Sequence, residues 1–183
     1  MSAIIELIKK RSSIRTYSNQ AVTKEIKEAL KVDFQTASQS PFGSKIRFQL
    51  VQTTENERQE LKELGTYGNI KGAYLFLAGA VKKGPKAMED FGYCMERVIL
   101  TATGLGLGTC WLGGSLNRST FAKKMNTAND ELIPAVTPLG YPADKRSLWD
   151  NTIRVVAGSK KRKPFGEIFF EKDINQPLKM GDD

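Results

Sequence analysis

Two arginines and two hydroxyls fall within five residues at Arg11-Ser12-Ser13-Ile14-Arg15. A guanidinium presents a planar fork of donors that matches phosphate oxygens two at a time, and serine hydroxyls add short donors beside it. With Ile14 turned inward, Ser13 and Arg15 emerge on one side of an extended segment. A second basic run, Lys160-Lys161-Arg162-Lys163, follows the apolar stretch from Ile153 to Ala157. Each run also reads as a solvated surface. Convergence of both on one phosphate accounts for them more economically than two unrelated surfaces. Asn69 and Lys71 precede a buried apolar run. An amide and an ammonium at that point can donate to a heteroaromatic carbonyl, or can simply form a polar loop.

Another chemically suggestive stretch is Gly104-Leu105-Gly106-Leu107-Gly108-Thr109-Cys110-Trp111-Leu112-Gly113-Gly114. Each interior glycine weakens a helix or strand by roughly 0.5–1 kcal/mol relative to alanine. The compensating gain is close approach of this backbone to another backbone or to a flat ligand; a tight structural turn is the other reading. The run follows a strong helical pattern, so it marks a helix end leading into a short buried strand.

The elements that must position these residues can be read from periodicity. Ile4, Ile5, Leu7 and Ile8 give one apolar face to a short helix that stops near Arg11. A second helix starts after the N-cap candidate Thr23 and runs to about Ala37, with Ile26, Ala29, Leu30 and Ala37 inward. Pro41-Phe42-Gly43-Ser44 is a turn. Ile46 to Gln52 alternates as a half-buried strand, with Ile46, Phe48 and Leu50 to one side and Arg47 and Gln49 to the other. Thr54 and Glu57 form a capping box whose helix ends at Gly65. Tyr74 to Val81 is a fully buried strand. Met88 to Leu105 is the longest helix, and Ser119 to Met125 a short one. Leu132 to Gly140 reads as an edge or broken strand because of Pro134 and Pro138. This alternation predicts mixed α and β elements around one sheet. There is no G-x-G-x-x-G between strand and helix and no P-loop, which argues against a dinucleotide fold.

Bulk properties narrow the class. The 183 residues, 40% apolar, suit one compact domain, expected over residues 1–170 with a C-terminal extension over 171–183. There is no histidine, which removes His-based triads and leaves no expected metal site. Cys94 and Cys110 form no CxxC pair and read as free thiols in a reducing, cytoplasmic setting. No 18-residue apolar stretch occurs, so no membrane span is expected. The net charge of +8 favours anionic partners, but the basic residues are spread along the chain, which argues against a dedicated nucleic-acid face.

The segment Arg11-Ser12-Ser13-Ile14-Arg15-Thr16-Tyr17 resembles the R-x-S-x-R-x-[FY] signature of FMN-dependent nitroreductases. Gly106 to Gly114 resembles that family's second signature. Ile133 to Pro142 resembles its proline strand closing on Gly-Tyr-Pro, and Lys160 to Phe165 its final basic element. The motifs occur in the family's order, and the chain is most similar to the first half of the branch described as Putative TM nitroreductases.

The resemblance implies an α+β nitroreductase-like fold, a central mostly antiparallel sheet flanked by helices, with FMN at the interface of a homodimer. By position it gives Arg11, Ser12, Ser13 and Arg15 to the flavin phosphate and ribityl chain, with Lys160 and Arg162 completing the clamp. Asn69 and Lys71 would face the pyrimidine edge. Leu112, Gly113 and Gly114 would offer a backbone N–H near flavin N5, and Pro41, Phe42 and Ser44 would come from the partner. Ser44 replaces the family's usual Asn, and Phe48 its usual Trp.

The implied activity is ping-pong reduction of a small-molecule acceptor, nitroaromatic or quinone, by NADH or NADPH. No side chain is assigned as catalytic, consistent with chemistry carried by a cofactor. The alternative from another class is a non-catalytic basic module for phosphate-bearing ligands or nucleic acid.

Overall fold

The computed structural model describes residues 3–57, 70–113, 118–144, 152, 155, 158 and 163–178. The chain divides into two compact units, Met1–Arg146 and Ser147–Asp183. The boundary expected after residue 170 falls inside the second.

In the first unit, α1 (Ala3–Lys10) and α2 (Lys24–Ala37) precede β1 (Ile46–Gln52) and β2 (Leu75–Lys82). The long helix α3 (Ala87–Gly104), the short α4 (Arg118–Met125), β3 (Glu131–Leu132) and β4 (Val136–Leu139) follow. The strand β2 is the centre of the sheet. It pairs antiparallel with β1 along its whole length, from Leu75↔Gln52 to Val81↔Ile46. Its other edge is shared by β4, at Leu75 to Ala78, and β3, at Val81 and Lys82.

Both faces of β2 are buried, so its side chains sort by parity. Leu75, Leu77 and Val81 enter one core with Leu30, Phe91, Met95, Val98 and Ile99 from α2 and α3. Phe76, Ala78 and Ala80 enter the other with Phe121 and Met125 from α4. This is the continuous apolar pattern of a strand covered on both sides. The expected alternation of β1 is present: Ile46, Phe48 and Leu50 face the α2–α3 core. On the opposite side, Arg47 and Gln49 reach Glu131 and the Lys124 carbonyl.

Helix ends follow their caps. Thr23 accepts from the Ile26 N–H at the start of α2. At Thr54 the capping box is reciprocal: Thr54 Oγ1 accepts from Glu57 N–H, and Glu57 Oε2 accepts from Thr54 N–H at 2.7 Å. The expected helix end at Gly65 lies outside the described residues. The α3 helix closes in a Schellman turn. Gly106 N–H reaches Thr103 O, Leu107 N–H reaches Ala102 O, and Gly106 takes φ +80°, a conformation glycine adopts without Cβ strain.

Three expectations are corrected. Ala29 is exposed; Ile26, Leu30, Phe34 and Ala37 carry the inner face of α2, because each step of three or four residues keeps to one stripe. Of the apolar residues on α1, only Leu7 packs, against Gly104, while Ile4, Ile5 and Ile8 face outward. The glycine run forms isolated bridges and no regular strand.

The strand expected over 132–140 is broken as anticipated. Three residues, Ile133 to Ala135, oppose two on β2, Gly79 and Ala80, so Pro134 sits in a bulge. Pro138 lies within β4, whose Val136 pairs its N–H and C=O with Leu112. Period-two alternation therefore turns the Pro138 nitrogen toward the 108–112 segment, where it costs β2 nothing. The buried Thr137 hydroxyl compensates, accepting from Cys110 N–H at 2.8 Å and donating to Pro138 O at 3.1 Å.

In the second unit, the rings of Phe165 and Phe169 stack at 4.4 Å. Phe170 pairs with Pro177, and Leu178 N–H reaches Phe169 O, closing a small hairpin.

The Arg47–Glu131 pair ties β1 to β3 in fork geometry, Nε to Oε1 at 2.8 Å and Nη2 to Oε2 at 2.7 Å. The bond from Arg47 lowers the Glu131 pKa from about 4.5 to about 2. A depressed carboxyl stabilises the fold fully above its unfolded-state pKa and loses that contribution as pH falls through the folded value. The difference in urea midpoint between wild type and Arg47→Ala is therefore expected to be constant above pH 5 and to vanish as pH approaches 2. A pH-independent difference would contradict this.

Candidate functional site

The segment from Ser13 to Ser18 is woven into the sheet edge by its backbone. Ser13 bridges Thr109 in parallel, Thr16 bridges Lys71, and Tyr17 pairs with Pro142. Ile14 N–H reaches Thr109 O, Lys71 N–H reaches Arg15 O, and Tyr17 N–H returns to Lys71 O, all within 2.8–2.9 Å. On the far side, Gly108 N–H reaches Gly140 O and Leu112 exchanges both bonds with Val136. The result is a ribbon of short bridges extending the sheet beyond β4.

Three glycines make this seat possible. A Cβ on Gly108 would lie 2.8 Å from Ile14 Cβ, one on Gly140 would lie 3.0 Å from the Tyr17 ring, and one on Gly72 would collide with the Tyr17 carbonyl. Close backbone approach is therefore what the run at 104–114 supplies at Gly108. Tyr17 is buried and donates its hydroxyl to Ile14 O at 2.6 Å, bracing the segment from within.

With Ile14 packed into the α4-side core, extended geometry sends Ser13 and Arg15 to the opposite face. Main-chain pairing brings Arg15 and Lys71 alongside each other. Ser12, Ser13 and Arg15 are half-buried, and Lys71 is exposed. Among the described residues, the Ser13 hydroxyl, the Lys71 ammonium and the Gly113 N–H have no hydrogen-bond partner. Leu112 and Gly113 are half-buried at the end of the same ribbon. This donor set, free of acidic side chains at 12–16, has the chemistry of an anion site.

Arg11 stands beside Glu96 of α3. Its Nε lies 3.2 Å from Glu96 Oε1 on α3, and the other oxygen of Glu96 accepts from Trp111 Nε1 at 2.8 Å. Phe42 and Ser44 stand at the N-terminal end of α3. Their N–H groups donate to the two oxygens of Asp90 at 2.8 and 2.9 Å. Asp90 lies in the first turn of α3, roughly 9 Å along the axis from Glu96 at 1.5 Å per residue. Burial pushes the Asp90 carboxyl up, but the bonds from Ser44, Phe42 and Ser40 outweigh it and leave it below the ordinary aspartate value.

Pro41 and Phe42 are exposed, and the Phe42 ring meets Lys86 Nζ at 5.9 Å. Asn69, Gly114, Lys160 and Arg162 lie outside the described residues. Sequence reasoning did not find Asp90, Glu96 or Thr137. An acid on a long helix and a threonine in a strand carry no local signal of a distant partner.

Comparison with known proteins adds an independent line. The profile of the family described as "Putative TM nitroreductase" matches residues 3–182. A protein of Methanothermobacter thermautotrophicus named "Putative NADH dehydrogenase/NAD(P)H nitroreductase" is 26% identical over 159 residues, 80% of this chain and 83% of that one. Among solved structures, a nitroreductase with bound FMN from Bacteroides fragilis superposes with a TM-score of 0.64 at 18% identity, covering 81% of this chain and 92% of the other. Nitroreductase A from Vibrio parahaemolyticus gives 0.69 at 20% identity, over 94% and 77%. At these identities the structures establish the fold.

Replacing Gly108 by alanine forces Cβ against Ile14 and is expected to cost about 1–3 kcal/mol, the range for overpacking. Urea denaturation measures it, with Gly84→Ala as reference, since a Cβ there meets nothing within 4 Å. Equal costs at both positions would refute the close-approach argument.

Proposed function

The chain belongs to the Putative TM nitroreductase family, and from that premise we propose that it is an FMN-dependent oxidoreductase reducing nitroaromatic or quinone-type acceptors with NADH or NADPH. One observation carries the reading. Ser13 and Arg15 share one face of a glycine-seated ribbon, with Lys71 hydrogen-bonded beside Arg15 and Gly113 at the ribbon's end. Donors at Ser13, Lys71 and Gly113, unmatched among the described residues, fit a ligand that is anionic at one end and offers acceptors along its length. When bound, FMN would supply the hydride chemistry of a ping-pong exchange between NADH or NADPH and the acceptor.

The protein's part is binding and orientation. Ser13 and Arg15 hold the phosphate. Lys71 places positive charge at the pyrimidine edge, where negative charge gathers on reduction. The Gly113 N–H donates toward the reactive edge of the ring. The rigid ladder between the 13–17 segment and 108–112 keeps these donors in fixed register, so little ordering is needed on binding.

The site is completed in a homodimer. The outward isoleucines of α1, and separately Met88 and Tyr93 on α3, are exposed apolar side chains that a second copy would cover. The partner's turn at Pro41, Phe42 and Ser44, locked by Asp90, would then approach the ring.

Apo-protein titrated with FMN is expected to bind it stoichiometrically and to discriminate against FAD. Arg15→Ala is expected to weaken binding by about 1.5–3 kcal/mol, the worth of a charge-assisted contact, whereas Lys82→Ala, at a distant surface pair with Asp130, leaves it unchanged. Equal affinities for the two variants would contradict the phosphate assignment. Light scattering of the FMN-loaded protein at low micromolar concentration is expected to give a dimer, consistent with an interface above roughly 2,000 Å². A flavin-loaded monomer would refute the shared site.

A further inference from the structure

The turn at 41–44 lies on the surface between α2 and β1, yet it is tied to a fully buried charge. Asp90, in the first turn of α3, is 0% exposed. Its oxygens accept from different residues of the turn, Oδ1 from Phe42 N–H at 2.8 Å and Oδ2 from Ser44 N–H at 2.9 Å. The Ser40 hydroxyl closes the turn by donating to Ser44 O at 2.9 Å. Between the two anchored residues, Gly43 takes φ +84°. Two converging N–H donors need two acceptor oxygens. Asparagine of the same shape offers one oxygen and sets its NH₂ against the other N–H.

Taking a carboxylate out of water is costly unless its hydrogen bonds offset the loss. A helix-to-strand connection does not by itself require such a charge. What the anchor fixes is the Phe42 side chain, which remains 63% exposed on a tethered backbone. Held in that way, an aromatic ring is pre-organised to meet a flat surface outside its own chain.

We propose that Asp90 is a positioning residue for the cofactor site and that it acts across the dimer: the carboxylate of one protomer sets the turn that completes the FMN site of the other. The proposal rests on the FMN and homodimer reading above. It adds that the site depends on a buried acid that touches neither cofactor nor acceptor.

The experiment combines two defects. Asp90→Asn and Arg15→Ala chains with different tags are coexpressed, and the mixed dimer is isolated through both tags. At one of its two sites, the mixed dimer joins an intact Arg15 from one chain to an intact Asp90-held turn from the other. Each variant homodimer is expected to bind FMN about tenfold more weakly than wild type, the scale of a lost charge-assisted bond. The mixed dimer is expected to recover wild-type affinity at half of its sites. A merely structural role of Asp90, or a role confined to its own chain, restores no site, and that result would overturn the proposal.

Without FMN, amide exchange at Phe42 and Ser44 is expected to quicken about tenfold in Asp90→Asn while β2 stays protected; unchanged exchange at the turn would also overturn it. Should Asp90→Asn fail to fold, Ser40→Ala loosens the same turn from a half-buried position. It is expected to weaken FMN about threefold and to be rescued in the same mixed dimer; its failure to be rescued counts against the proposal. Wild-type protein that binds no FMN would remove the flavin reading and the proposal together. Wild-type affinity in Asp90→Asn would remove the proposal alone.

Discussion

The organisation of this molecule depends on one steric constraint, the close seating of the 14–17 segment on three glycines. Gly72, Gly108 and Gly140 come from three separate connections, yet a Cβ on each would strike Ile14 or Tyr17. The absence of those side chains lets a strand-like segment join the sheet edge with backbone bonds as short as 2.8 Å. From that fit follow the inward turn of Ile14, the outward faces of Ser13 and Arg15, and the pairing of Arg15 with Lys71. Of the three, only Gly72 has a positive φ, so at Gly108 and Gly140 the glycine serves close approach and not backbone freedom.

Around this seat, polar groups do the work of alignment. Asp90 ties a turn 46 to 48 residues away to the first turn of α3, and Glu96 ties two ribbon segments to its middle. Thr137 repairs the ladder where Pro138 cannot donate. Each presents oxygens to donors from other elements, so each fixes register between elements that apolar packing would only hold at a distance. The central helix is therefore both the core of one layer and the scaffold from which the site is hung.

The apolar surface left on α1 fits the same logic. Ile4, Ile5 and Ile8 are too regularly placed for a solvated helix, and they remain 40–56% exposed. A helix that contributes one half-buried leucine to its own chain is stabilised chiefly by what packs on its other face.

Much of this was legible in the sequence. Parity and periodicity placed β1, β2 and α3 within a residue of their observed ends, because side-chain period and cap chemistry are local. The motif residues at 11–15 and the glycines at 104–113 were visible as types and spacings, and alternation put Ser13 and Arg15 on one face given an inward Ile14, a direction that only the packing showed. What only the tertiary structure decided was pairing. That Arg11 meets Glu96, that Phe42 and Ser44 are anchored by Asp90, and that Gly72 and Gly140 serve the same segment as Gly108 all depend on contacts between residues far apart in the chain. A sequence fixes which groups can donate, accept or approach closely; which of them meet is set by how the layers close, because each partner is chosen by the three-dimensional competition for burial and for a matching hydrogen bond.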